Sequence, residues 1–124
     1  MWSRFDDNLM HFVLERPDAS RLIAHLSEGS EKTDVIGWNQ AWCAEQLLAA
    51  LEDAATDGYG ECFWPEPTGQ FWWMLKREDD RLEIAVLWSR SSAVGWQHIF
   101  RATDGFGYMR ELIMQAMSNT DEAT

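Results

Sequence analysis

The chain lacks nearly every short pattern that marks a chemistry. Its only cysteines are Cys43 and Cys62. Its three histidines, His11, His25 and His98, are far apart, with no H-E-x-x-H, no H-x-H and no closely spaced cysteine pair for zinc. No G-x-S-x-G marks a serine nucleophile, and Gly58-Tyr59-Gly60 and Gly105-Phe106-Gly107 lack the Lys-Ser/Thr that completes a phosphate loop. The expectation is a protein without catalytic residues, metal ligands or a cofactor. Long apolar runs are missing too. Nothing approaches the ~18 residues that span a bilayer, and the start, Met-Trp-Ser-Arg-Phe-Asp-Asp, turns acidic where an export signal would be apolar. No membrane partner and a cytoplasmic location are therefore expected. Bases are scarce, ten against 21 acids, and the net charge of -11 opposes phosphate backbones, so nucleic acid is a poor partner.

That scarcity is local. Between Lys32 and Lys76 there is no Lys or Arg, while Asp34, Glu45, Glu52, Asp53, Asp57, Glu61 and Glu66 all fall there; each flank carries only -2. A surplus of this sign keeps a small protein soluble, and the same surplus can steer a basic partner.

What the chain does have is apolar and aromatic: 46% of its residues are hydrophobic and eight are tryptophan. With 124 residues it matches a single domain, since domains commonly run to about 100–150. Order is expected from about residue 5 to residue 117, followed by an acidic tail over 118–124. Asn8 to Glu15 and Arg21 to Ser27 read as strands parted by Pro17-Asp18, and Thr33 to Trp38 as a third. From Gln40 to about Thr56 the period changes. Ala44, Leu47, Leu48, Leu51 and Ala55 then draw one apolar stripe on a helix, with Asn39 as N-cap and Gly58 or Gly60 at its end. After a Pro-rich connection, Gln70 to Arg77 and Leu82 to Ser89 form a hairpin. Setting Arg77 opposite Leu82 puts Lys76 beside Glu83 and makes both faces largely apolar. Gly95 to Arg101 is a further strand, with Trp96, His98 and Phe100 on one side. A last helix starts near Thr103-Asp104 and carries Met109, Leu112, Ile113 and Ala116. The order predicts an α+β fold, a largely antiparallel sheet with two amphipathic helices packed on one face.

Cys43 falls early in the first helix without a basic neighbour in sequence, so two packed thiols are expected, with a disulfide left open. An acid such as Glu83 or Asp104 working with His98 is the weakest reading, because nothing in the sequence places them together. Trp73 and Trp88 belong to the core. Trp64 stands between Glu61 and Glu66, beside Tyr59 and Phe63, in a connection expected to lie on the surface. The acidic and aromatic partner-binding set is thus Glu52, Asp53, Asp57, Tyr59, Glu61, Trp64 and Glu66.

A small acidic domain rich in tryptophan, with an acidic helix and the two-Trp run Phe71-Trp72-Trp73-Met74-Leu75, resembles the immunity proteins of bacterial contact-delivered toxin systems. The resemblance implies a non-catalytic inhibitor that binds one cognate toxin domain, here a basic one. The alternative is a small ligand-binding or sensory domain with an aromatic-lined pocket between sheet and helices.

Overall fold

Seven strands, two α-helices and one 3-10 turn (Ser92–Val94) follow one another in the computed structural model, which describes residues 9–122. The strands and α-helices are β1 (Met10–Glu15), β2 (Arg21–Glu28), β3 (Glu31–Trp38), α1 (Gln40–Asp57), β4 (Tyr59–Glu66), β5 (Gly69–Glu78), β6 (Arg81–Ser89), β7 (Gln97–Gly105) and α2 (Phe106–Glu122). The strands form two antiparallel sheets, β1-β2-β3 and β4-β5-β6-β7. The class is α+β, as expected, with the strands divided between two sheets. Asn8, where the first strand was expected to begin, and the onset of order near residue 5 lie outside the described residues. At the other end α2 runs past Met117 to Glu122, so the expected tail is helical as far as it is described.

Strand alternation builds the core. Phe12 from β1, Leu22, Ala24 and Leu26 from β2, and Val35 from β3 point inward, as do Cys62 and Trp64 of β4, Trp73 and Leu75 of β5, and Ile84 and Val86 of β6. The Phe12 and Trp73 rings, with centroids 6.2 Å apart, join the inner faces of the two sheets, and Trp64 packs on Trp73 at 4.9 Å. The hairpin register is the one its sequence requires: Arg77 faces Leu82, Lys76 faces Glu83, and Trp73 faces Val86. Trp73 is fully buried, whereas Trp88 is half-buried at the sheet's end.

The first helix starts at Asn39, whose side chain accepts from Trp42 N at 3.2 Å, and ends at Gly58, whose N–H donates to Ala54 O at 3.0 Å. Gly58 is left-handed, at φ 90°, where a side chain would be strained. The buried stripe is Cys43, Leu47, Ala50, Leu51 and Ala54, turned from the expected one toward smaller residues. The reason is a close approach to β4. A Cβ on Gly60 would stand 1.9 Å from the Ala50 carbonyl oxygen, so only glycine permits the contact. Gly60 therefore belongs to a strand and not to the helix terminus.

Three other expectations change. Tyr59 to Glu66 is a strand despite Pro65, paired along its length with β5. In β7 an irregularity between Val86 and Leu87 sets Val86 opposite Phe100 but Leu87 opposite His98, leaving Ile99 as the extra residue. His98 and Phe100 therefore do not share a face. Asp104 caps no helix: its carboxylate accepts from Gly105 N at 2.8 Å and from Met10 N at 3.3 Å, tying β1 to β7.

Candidate functional site

Because α1 packs on the Gly60, Cys62 and Trp64 side of β4, the opposite side of that strand projects Tyr59, Glu61 and Phe63 away from the helix. The register continues this outer face across the sheet in three rows. Phe63 lies opposite Trp72, which lies opposite Leu87 and then His98. Glu61, Met74, Ala85 and Arg101 form the next row, and Tyr59, Lys76, Glu83 and Thr103 the third. One end of the face is aromatic and the other polar, where Arg101 pairs with Glu83.

At the aromatic end Trp96, from the loop before β7, completes a cluster of three rings. Phe63 stacks on Trp72 at 5.7 Å and 18°, Trp72 meets Trp96 edge-on at 5.2 Å, and Phe63 lies 5.9 Å from Trp96. Phe63 is 36% exposed and Tyr59 40%, so both rings leave apolar surface open on this face. Glu61 anchors the edge of the cluster. Its Oε1 accepts from Trp72 Nε1 and from Tyr59 OH, each at 2.9 Å. Desolvation, with the Glu61 hydrogen bond and charge, pushes the Tyr59 hydroxyl up to about 12, so it stays a donor.

The expected partner-binding residues separate into four places. Tyr59 and Glu61 belong to the open face. Glu52, Asp53 and Asp57 are exposed on α1, on the far side of β4, and do not join it. Glu66 serves its own turn: its Oε1 accepts from Thr68 N at 2.7 Å and from the Thr68 hydroxyl. Trp64 is corrected outright. It has no exposure, and its Nε1 donates to the Cys43 carbonyl at 3.0 Å, because β4 is a strand whose even positions face α1. Sequence reasoning passed over Trp72 and Trp96 as site residues. The available signal was the hairpin's second apolar face, which neither helix could cover if both packed on the first.

Reactive groups are not gathered here. Burial pushes the Cys43 thiol up to about 12 and the Cys62 thiol higher still, and both are free. His98 sits opposite Leu87 while Glu83 sits opposite Thr103, about 13 Å away along the strand at roughly 3.3 Å per residue. Among the described residues no three His, Cys, Asp or Glu side chains are placed to hold a metal ion, and no helix is long and apolar enough to cross a membrane. No family model, no curated protein and no solved structure matches the chain.

Proposed function

We propose that the protein is a stoichiometric, non-catalytic protein-binding inhibitor of the immunity type, which neutralises a basic toxin domain by docking it on the open face of the four-stranded sheet. The observation that carries this reading is the Phe63, Trp72 and Trp96 cluster beside Glu61, an apolar, aromatic surface edged by negative charge. Aromatic anchors supply most of the energy at protein interfaces, and a net charge of -11 favours a basic partner. Co-production with a basic domain encoded by a neighbouring reading frame, followed by size exclusion, tests it. The expected result is a one-to-one complex, inhibition that stops at equimolar protein, and loss of both on Trp72→Ala. Turnover of a substrate by the protein alone, or inhibition at substoichiometric amounts, overturns it.

A ligand-binding reading has a different observation behind it. The space between the sheets and helices is filled by Trp64, Trp73 and Phe100, but a surface cleft of about 350 Å³ opens between Trp88 and Trp96, with Arg90 and Gln97 in its wall. That is the size of a small ligand site. A small molecule retained through purification and seen by native mass spectrometry would favour this reading over the first.

A further inference from the structure

Among the described residues the Glu61 carboxylate has no basic partner. Its two hydrogen-bond donors, Tyr59 and Trp72, are neutral, and among the described residues it forms no ion pair. The nearest bases on the same face do not serve it. Arg101 is engaged by Glu83, and Lys76, one row away, makes no salt bridge with it. Both neutral donors converge on Oε1, so they hold the carboxylate in place and leave Oε2 to accept from outside. Beside it lie three aromatic rings, whose faces are also electronegative. Rings and carboxylate together concentrate negative potential at one end of the sheet, where among the described residues no basic residue pairs with Glu61 and Arg90, in the wall of the cleft beside Trp96, forms no ion pair.

We propose that this end of the face, Phe63, Trp72 and Trp96 with Glu61, is an arginine-recognition site that receives one arginine side chain of the bound partner. The inference rests on the inhibitor reading and names the chemistry by which that partner is held. The shape of the cluster selects the cation. The centroids are only 5.2–5.9 Å apart, so the rings touch one another and form a stepped platform, Phe63 nearly parallel to Trp72 and Trp96 tilted against both, with no space between them for a rounded ammonium group. A guanidinium is flat and weakly hydrated, stacks on indole, and directs its N–H groups sideways toward a carboxylate at the platform's edge. Glu61 occupies such an edge, fixed by the same Trp72 on which the guanidinium stacks.

The test uses the intact chain and three synthetic peptides, acetyl-Leu-Arg-Leu-Arg-Leu-amide and its counterparts with citrulline or lysine in place of arginine, followed through the indole N–H resonances of the protein. Citrulline keeps the shape and removes the charge. The arginine peptide is expected to shift the Trp72 and Trp96 resonances saturably. The citrulline peptide should bind about tenfold more weakly, and the lysine peptide more weakly than arginine. Glu61→Gln should weaken the arginine peptide several-fold toward the citrulline level, the contact of the cation with the rings remaining. The Trp64 resonance, from an indole buried against the Cys43 carbonyl, reports that the variant is folded. Equal binding of arginine and citrulline peptides overturns the proposal, as do shifts confined to residues of α1; neither outcome depends on the variant. If the protein still inhibits a basic domain while these peptides fail, arginine recognition falls and the inhibitor reading stands. Arginine-dependent shifts without inhibition by the protein give the reverse.

Discussion

His25, on the outer face of the three-stranded sheet, shows how one residue can bind three strands together. Its Nδ1 lies 2.8 Å from Asp34 Oδ1 on β3, and its Nε2 lies 2.7 Å from Glu15 Oε1 on β1. Both ring nitrogens can donate only when the imidazole is protonated. The hydrogen bond to Glu15, then that to Asp34, therefore raises the His25 pKa above its ordinary value, against a smaller desolvation effect. The sign follows by linkage: the stabilisation is complete below the unfolded-state pKa of about 6.5 and disappears as pH rises through the higher folded-state pKa. The effect is modest, because the side chain is 39% exposed and solvent screens it. Thermal melts should show stability falling from pH 6 to 8.5 more steeply in the parent than in His25→Gln; equal slopes would remove the bracket. Trp73 gives the opposite case, a residue whose role is volume. Trp73→Ala should lower stability by about 3–5 kcal/mol, and Trp88→Ala, at a half-buried position, by roughly 1.5–3 kcal/mol in denaturant titrations.

At the scale of elements, the end of α1 presents a conflict that β5 relieves. Glu52, Asp53 and Asp57 crowd a helix C-terminus, where the dipole is already negative and no basic residue lies in the last turn. Arg77 supplies the missing cation from a neighbouring strand. Its Nη1 donates to the Ala55 carbonyl at 3.0 Å, its Nε donates to the Asp79 carbonyl, and its guanidinium lies 4.0 Å from the centre of the Phe106 ring at the start of α2. One side chain thus joins α1, the β5–β6 turn and α2. Arg77→Ala should cost about 1–3 kcal/mol, with Arg77→Lys recovering little because an ammonium reproduces neither the fork nor the stacking. Gly60→Ala should be worse for its size than any other exchange in β4, at least ~2 kcal/mol, since the obstructing atom is the Ala50 backbone oxygen and cannot rotate away. Both contacts were illegible in the sequence for the same reason. Arg77 and Ala55, like Gly60 and Ala50, meet only after β4 turns back beneath α1, and a local pattern carries no trace of that return. The register of the β5–β6 hairpin was legible to the residue, because alternation and the Lys76–Glu83 pair are local, while its strands run one residue further at three of their four ends. Strand β4 was hidden by Pro65, Pro67 and two glycines, although Gly60, Cys62 and Trp64 alternate with Tyr59, Glu61 and Phe63 as a strand requires.

For the whole molecule, the division of charge and aromatic surface between opposite sides of β4 separates two effects that the sequence presents as one patch. Along the chain Glu52, Asp53, Asp57, Tyr59 and Glu61 fall within one short stretch, but the fold turns the helix acids away from the ring face. Contact and attraction therefore fall to different residues. A charge on α1 contributes to the long-range field that draws a basic partner in, while touching nothing once the partner is seated on the outer face. An indole on the platform contributes little to that field and much to the seated complex. Replacing Glu52 and Asp53 by lysine should therefore slow association and flatten its dependence on salt, leave dissociation nearly unchanged, and raise helix stability by about 0.3–1 kcal/mol per site as the dipole conflict is relieved. Trp72→Ala should do the reverse, leaving association within a factor of a few and speeding dissociation by roughly 30-fold or more, the measure of a hot spot worth at least ~2 kcal/mol. Stopped-flow association and surface-capture dissociation at several salt concentrations, with a basic partner domain, measure both. If the lysine pair speeds dissociation as much as Trp72→Ala does, the helix is itself part of the contact, and the partner sits across the end of α1 and not on the open sheet.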